Sequence, residues 1–550
     1  MTTAAVTEEK KQVDLVNVQI DGQWMQVPKG IRIIEAIKLA GKFVPHYCYH
    51  PKLSSPGNCR MCLVEMGMPK MGPDRKPITG ADGQTEIGWI PRPAISCANT
   101  VAEGMGVRTD SPMVQECQKG VMELLLINHP LDCPICDEAG ECKLQEYSVE
   151  YGNANSRFVE EKVKKPKKVD LGPTIILDDE RCILCSRCVR FCNEIAKDDV
   201  LGFVNRGSFN TLTCHPGKKL ENNYSLNTVD ICPVGALTSK DFRFKMRVWF
   251  LKETESICTS CGTGCNTMIG SREGVIYRQV PRDNDAVNSS WMCDFGRLNY
   301  KFVNDEKRLG SATIRRNGSV AQVSAASALG EVKKALKGMV EGELAIVASG
   351  RMTNEELFLV KKLAQVLKVE LVDIVHRSGP SDDILLSADR NPNTNGARML
   401  GIAADDSAGN LTKIRDAVAA GRLSGLLVFG EDVVEAGFDP EALKKLKFLC
   451  SIDMLPNKTT DLAHYVLPGV SWAEKRGTMV NIKGRLQRLN KAVEPVGGSV
   501  DNWELLNTLL TSLGGTHYED VASVFVATSE SVPQFAELTL AQVGAQGVNV

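Results

Sequence analysis

No run of apolar residues in this sequence approaches the roughly 18–20 needed to cross a bilayer, so membrane contact is expected only through other proteins. A dominant charge is missing too. Lys and Arg number 65 against 67 Asp and Glu, a net charge of −2 that gives no reason to expect a nucleic-acid surface. The segment Met1 to Gln12 has neither an apolar core nor an arginine, which speaks against a secretory signal and against a transit peptide. No Gly-x-Gly-x-x-Gly follows a strand-like run and no acid–base pair stands out, so no nicotinamide, flavin or quinone site and no catalytic residue are expected. Internal repeats and low-complexity tracts are absent. Finally, the last 250 residues hold one cysteine, Cys450.

Cysteine is what the rest of the chain has in excess. Of 19 cysteines, 18 lie from Cys48 to Cys293. Disulfide frameworks belong to small secreted domains, whereas 550 residues suffice for several cores. Reduced core thiols would be scattered along the chain. Clusters at short fixed spacings point to metal.

Residues 13–27 alternate apolar and polar about Asp21-Gly22, a two-residue hairpin signal. A short helix over Ile31 to Ala40 should follow, ended by Gly41. Together they suggest a small β-grasp-like domain. Residues 66–95, rich in Gly and Pro, read as a surface insertion. Val114 to Asn128 reads as a helix, and the basic run Lys162 to Lys168 as a solvated linker. Beyond about residue 308, Leu344 to Ser349, Val369 to Ile374 and Gly425 to Phe429 are of strand length. A helix opening on the capping box Thr353-x-x-Glu356 lies between the first two, so a mostly parallel α/β layer is expected.

The cysteines form four groups. Cys48, Cys59, Cys62 and Cys97 could hold two bridged irons, or a structural zinc. His129, Cys133, Cys136 and Cys142 are equally ambiguous alone. With iron, the neutral imidazole would remove one negative charge and raise the potential. Cys182-x2-Cys185-x2-Cys188 with the remote Cys232-Pro233 favours a cubane, because zinc sites rarely use three cysteines so close together. That segment resembles a two-cluster bacterial ferredoxin reduced to one cluster: the second motif's positions hold Asn222, Ser225 and Thr228, which leaves Cys192 without a cluster to serve. Cys258-x2-Cys261-x3-Cys265 and Cys293 form the fourth group, with Gly262 and Gly264 allowing tight turns. Zinc stays open there, with iron favoured by the third group's company. Cys117, Cys192, Cys214 and Cys450 read as structural thiols.

In this order, and with phrases such as Arg181-Cys-Ile-Leu-Cys-Ser-Arg-Cys-Val-Arg190 and Cys232-Pro-Val-Gly-Ala-Leu237, residues 13 to 300 resemble the G-type iron–sulfur subunits of bacterial NADH–quinone oxidoreductases (respiratory complex I). The pattern Glu474-x-Arg476-Gly477-Thr478-x2-Asn481-x2-Gly484-Arg485-x-Gln487 is more loosely similar to molybdopterin oxidoreductases. The resemblance implies a multidomain α+β chain: a β-grasp [2Fe-2S] ferredoxin-like domain (13–105), a helical [4Fe-4S] module with one histidine and three cysteine ligands (106–152), and a bacterial-ferredoxin-like [4Fe-4S] domain (170–245). A molybdopterin-oxidoreductase-type [4Fe-4S] domain (251–307) and a degenerate, truncated molybdopterin-oxidoreductase-like α/β domain (308–550) without molybdenum complete it. The 34 residues between Cys62 and Cys97 exceed the family's usual interval.

The resemblance further implies one [2Fe-2S] and three [4Fe-4S] clusters on fifteen cysteines and His129. Electrons would come from a flavin-bearing NADH dehydrogenase subunit, reach the two-iron cluster first, then the ferredoxin-like and histidine-ligated ones, and leave through other hydrophilic iron–sulfur subunits towards quinone. The implied assembly is a proton-translocating complex, with this chain a peripheral subunit on the cytoplasmic side of the bacterial inner membrane; for residues 308–550 we expect a purely structural role. The alternatives are the cluster-bearing subunit of a soluble NAD-linked formate dehydrogenase or hydrogenase, and a zinc-stapled scaffold without redox chemistry. The first would need a full pterin domain or further cysteine motifs; metal content excludes or establishes the second.

Overall fold

A computed structural model describes residues 14–81, 83–404 and 409–550. The segment Met1 to Gln12 lies outside the described residues. Two compact units divide the chain, Met1–Trp249 and Phe250–Val550.

In the first unit the strand Leu15–Ile20 turns its even-numbered residues Val16, Val18 and Ile20 inward and pairs antiparallel with Gln23–Pro28. Asp21 (φ 48°) and Gly22 (φ 84°) are both left-handed, as a two-residue hairpin turn matching strand twist requires. The helix Ile33–Leu39 buries Ile33, Ile34, Ala36 and Ile37 in the core beneath that sheet. The sheet continues through Met105–Arg108, parallel to the first strand, to Leu63–Pro69 and Ile87–Trp89. A mixed sheet with one helix in its core fits the β-grasp expectation.

Residues 66–95 differ from the expected surface insertion. Their ends are built into the sheet: Ile87–Trp89 and Ala94–Ile95 both pair with Leu63–Pro69. The physical reason is packing across glycine. A Cβ on Gly67 or Gly106 would fall within 3.2 Å of Ile87 and Trp89 side-chain atoms, so those two residues occupy the space the glycines leave. Only the stretch between Lys70 and Glu86 runs outside, closed by a backbone bond from Lys70 N–H to Glu86 C=O at 2.8 Å.

The helix Pro112–Leu126 starts where Ser111 accepts a bond from the Val114 N–H. It is joined to the helix Lys143–Tyr151 by Tyr47, whose hydroxyl reaches Met122 Sδ at 3.2 Å and whose ring lies 5.3 Å from Tyr147. A three-stranded sheet, Leu237–Ser239, Ile175–Leu177 and Val169–Asp170, and a hairpin, Leu201–Val204 with Thr211–Cys214, frame the third cysteine group.

The basic run has no regular secondary structure, and Lys164, Lys167 and Lys168 are exposed, as expected of a solvated linker, but it also carries ion pairs. Lys165 lies 3.8 Å from Asp179, and Lys167 lies 3.6 Å from Asp132, 3.9 Å from Asp178 and in contact with Glu180. Asp178, Asp179 and Glu180 are buried, and buried carboxylates need counter-charge. Lys162 meanwhile donates to the carbonyls of Leu126 and Ile127, both at 2.8 Å, at the end of the Pro112–Leu126 helix.

The second unit opens with an antiparallel sheet of Lys252–Ile257, Asn266–Arg272 and Val275–Pro281. Its centre is a seven-stranded sheet. Leu371–Ile374, Leu344–Ala348, Gly425–Phe429, Phe448–Asp453 and Tyr465–Pro468 run parallel in that order, and an antiparallel pair closes the far edge. Alternate residues feed two cores: Ile346, Ala348, Leu427 and Phe429 on one face, Ala345, Val347, Leu426 and Val428 on the other. A sheet covered on both faces explains its continuous apolar strands. The expected helix spans Asn354–Leu367, and Thr353 and Glu356 form its capping box.

Candidate iron–sulfur centres

The first group is drawn together by the sheet. Ser96 donates from both N–H (3.0 Å) and Oγ (2.8 Å) to the Cys62 carbonyl, which sets Cys97 beside Cys62 despite the long interval. Cys48 donates its N–H to Cys59 Sγ at 3.5 Å. The thiols form a series of neighbours, Cys59 to Cys48 to Cys97 to Cys62. Among the described residues no group of three or more His, Cys, Asp or Glu side chains stands ready-made to hold a metal ion.

The third group surrounds a cavity whose wall includes Cys182, Cys185, Cys188 and Cys232, with Ile183, Phe203 and Leu212 as apolar cover. Burial pushes the Cys182 thiol up to about 12 and raises Cys188 and Cys232 well above the ordinary range. Cys192 lies outside that wall, in a wide turn over Cys192–Ala196. The positions of the ferredoxin's other motif are hydrogen-bonded instead: Asn222 to Asp198 at 2.9 Å, Ser225 to Thr174 at 2.7 Å, and Thr228 to the Ser225 carbonyl at 2.8 Å.

Arginines tie these two groups. Arg190 donates to the carbonyls of Cys48 and Ser54, and Arg187 to those of Tyr49 and, at 3.1 Å, Ile231. Asn58 donates to the Leu184 carbonyl at 3.2 Å, and Cys59 and Cys185 are close enough to interact electrostatically.

The second group abuts the third from elsewhere. Cys142 Sγ lies 4.0 Å from the Pro233 carbonyl, which also accepts from Lys143 N–H at 3.1 Å. A Cβ on Gly235 would stand 2.6 Å from Cys136 Sγ, so only glycine fits there. Glu138 acts on both Cys142 and Cys232. Cys136 interacts electrostatically with both Cys133 and Cys142, and burial lifts Cys142 to about 11. His129 is held down to about 4 by burial and by the charge of Arg181, which leaves a neutral imidazole able to donate a lone pair. Arg181 is itself fixed by Asp132 at 2.7 Å and Asp178 at 2.8 Å.

The fourth group lies in the second unit. Cys258, Cys261, Cys265 and Cys293 are all buried and mutually coupled. Cys293 opens the helix Asp294–Leu298 and accepts from Gly296 N–H at 3.3 Å, while a Cβ on Gly296 would reach Cys258 Sγ at 2.9 Å. Gly264 is left-handed (φ 62°); Gly262 is not, and a Cβ there would meet Asp389 and Ile482 only at ordinary contact distance. The loop between cysteines is clamped from the C-terminal domain. Asn481 donates to the Thr263 carbonyl at 3.1 Å, Gln487 to the Gly264 carbonyl at 2.9 Å, and Ile482 N–H to the Gly262 carbonyl at 2.7 Å.

Buried thiols and one neutral imidazole fit iron–sulfur clusters chemically, since each protonated thiol would release its proton to bind iron. A molybdenum-bearing pterin fits less well: Cys450 packs in the sheet core, and among the described residues no thiol lines the cavity beside the fourth group. Sequence reasoning did not find Gly235, Gly296, Asn481, Gln487 or the bridging roles of Arg181, Arg187 and Arg190. The arginines and the Asn–Gln pair do stand inside phrases that the sequence singles out, but their partners are remote in the chain.

Comparison with known proteins gives the same order of modules. Residues 14–112 match a 2Fe-2S iron-sulfur cluster binding domain, 118–157 the NADH-ubiquinone oxidoreductase-G iron-sulfur binding region, and 172–238 the ferredoxin-like domain of NADH-quinone oxidoreductase subunit 3. Residues 251–305 match a molybdopterin oxidoreductase Fe4S4 domain and 391–512 molybdopterin oxidoreductase. The G-type subunit of the Rickettsia felis NADH-quinone oxidoreductase is 39% identical over 353 residues, 64% of this chain and 49% of that protein. Subunit 3 of the Thermus thermophilus enzyme is 38% identical over 377 residues, 66% of this chain and 48% of that protein. A chain of an NAD+-reducing [NiFe]-hydrogenase is 24% identical with a TM-score of 0.33, covering 42% of this chain and 91% of that one, too weak a likeness to bear on the fold. The chain therefore spans about half the length of the curated relatives it matches. It contains 2Fe-2S and 4Fe-4S binding domains, and over about two thirds of its length it is a homologue of the G-type (subunit 3) proteins of NADH-quinone oxidoreductases.

Proposed function

We propose that this chain is an electron-carrying subunit of a proton-translocating NADH:quinone oxidoreductase. It would hold one [2Fe-2S] cluster on Cys48, Cys59, Cys62 and Cys97, and three [4Fe-4S] clusters. The ligands of the latter are His129 with Cys133, Cys136 and Cys142; Cys182, Cys185 and Cys188 with Cys232; and Cys258, Cys261 and Cys265 with Cys293. The supporting observation is contiguity within the first unit: Cys59 adjoins Cys185, and Glu138 and Pro233 lie between Cys232 and Cys142. When bound, such clusters supply one-electron centres. The chain's own part is to bury the ligating sulfurs, exclude water, and set potentials through ligand type and nearby charge. Arg187 and Arg190 fix the spacing between the first and third groups, and Arg181 places positive charge beside His129.

The domain division 13–105, 106–152, 170–245, 251–307 and 308–550 belongs to the same reading. Its partners would be a flavin-bearing NADH dehydrogenase subunit and further hydrophilic iron–sulfur subunits. The assembly would hold the chain at the cytoplasmic face of the bacterial inner membrane. Among the described residues no helix is long and apolar enough to cross a membrane. Capturing the tagged chain anaerobically should bring down a flavoprotein, and the captured material should reduce a quinone analogue with NADH. Reduction with formate or hydrogen instead would replace this reading with a formate dehydrogenase or hydrogenase subunit.

A further inference from the structure

Cys48 is flanked by two buried tyrosines, and one of them begins a line of aromatic rings that leads away from the cysteine groups. Tyr47 has no exposed surface, and its ring lies 5.3 Å from that of Tyr147. Tyr147, on the helix Lys143–Tyr151, stands 5.8 Å from Tyr151 in an edge-on arrangement. Both separations are those of touching aromatic pairs. At the inner end the Tyr47 phenol is close enough to Cys59 of the first group and Cys142 of the second to feel their charge. At the outer end Tyr151 is partly exposed.

Packing alone does not account for the three hydroxyls. That of Tyr47 donates to the Met122 thioether at 3.2 Å, a weak acceptor, where a phenylalanine ring would pack as well. The Tyr147 oxygen accepts from the backbone N–H of His46. Tyr151 has its hydroxyl against a carboxylate, that of neighbouring Glu150. This order matters for oxidation. A phenol that loses an electron becomes strongly acidic, and it settles as a neutral radical only where a base takes its proton. Neither a thioether nor an N–H is such a base; a carboxylate is.

We infer that Tyr47, Tyr147 and Tyr151 form a relay that carries oxidising equivalents from the cysteine groups to the protein surface. The inference rests on the reading that these groups hold iron. The oxidant is the hydroxyl radical left when hydrogen peroxide takes one electron from ferrous iron and its O–O bond breaks. That radical takes one electron from the Tyr47 ring and becomes hydroxide. Tyr147 refills Tyr47, Tyr151 refills Tyr147, and the Tyr151 phenolic proton passes to Glu150. In sum, a hydroxyl radical, the Tyr151 phenol and the Glu150 carboxylate become hydroxide, the Tyr151 phenoxyl radical and a protonated Glu150. The ligating sulfurs, which the same oxidant would drive up the sulfenic and sulfinic series, are spared.

The test uses the full chain purified anaerobically, reduced with dithionite, freed of excess reductant and mixed with hydrogen peroxide before freeze-quench EPR. A tyrosyl radical should appear in the native chain. Tyr151→Phe and Tyr147→Phe should each lose most of that signal and lose iron to peroxide faster, while Tyr518→Phe, in the second unit, should change neither. Glu150→Gln should diminish the radical with all three rings in place, an effect that aromatic packing would not produce. Iron measured before peroxide is added controls for folding and separates this inference from the cluster reading on which it rests. Full iron with no tyrosyl signal in the native chain would overturn the relay. So would an undiminished signal in both Tyr151→Phe and Tyr147→Phe.

Discussion

His129 and Glu355 show how one side chain carries a measurable consequence. His129 supplies a neutral ligand where cysteine would supply a charged one, so His129→Cys should lower the potential of the second centre, by on the order of 100 mV. A potentiometric EPR titration reads this; an unchanged potential would remove His129 from the ligand set. Glu355 is fully buried, accepts from Thr478 N–H at 2.9 Å and from its hydroxyl at 2.8 Å, and is raised by burial to about 7 from 4.5. Its folded form therefore binds the proton more tightly than the unfolded chain does. The stability this contributes is complete below about pH 4.5 and lost as pH rises through about 7, on the order of 3 kcal/mol over the window. Asp501, also raised to about 7 by burial and by Glu356, adds to the same slope. Thermal unfolding of the second unit between pH 5 and 8 should show this decline, and Glu355→Gln should flatten it without abolishing it. An identical pH slope in the variant would contradict the assignment.

Among the elements, the loop Cys261 to Cys265 is held by bonds from sequence more than 200 residues away. Removing Asn481 or Gln487 would leave the carbonyl of Thr263 or Gly264 buried without that donor, at a cost of about 1–3 kcal/mol each. The double variant Asn481→Ala with Gln487→Ala should lose the fourth centre selectively, dropping iron from about 14 to about 10 per chain and deleting one four-iron EPR component. Unchanged iron and spectrum would show that the clamp is dispensable. These bonds also bear on how much the sequence discloses. The hairpin at Asp21-Gly22 and the capping box at Thr353 are legible because their signals are local. The basic run from Lys162 reads as a linker, but its ion pairs do not show, since the acids it neutralises are recognisable as buried only once the Ile175–Leu177 strand is packed. The glycines at 67 and 106 look like loop formers or strand weakeners, and in fact make room for Ile87 and Trp89.

At the scale of the whole molecule, cysteine spacing discloses the grouping of neighbours well before any fold, because ligands for one cluster must come from nearby loops or from one distant return of the chain. What spacing does not disclose is adjacency between groups. That depends on Arg187, Arg190 and Pro233 meeting partners from other segments. The proposed electron-carrying role requires iron rather than zinc at all four groups. Anaerobic iron and zinc analysis with EPR of the dithionite-reduced chain tests it most directly. About 14 irons per chain, with overlapping two-iron and four-iron signals, is the expected result. Zinc in place of iron, with no paramagnetic signal, would contradict it and leave a structural scaffold.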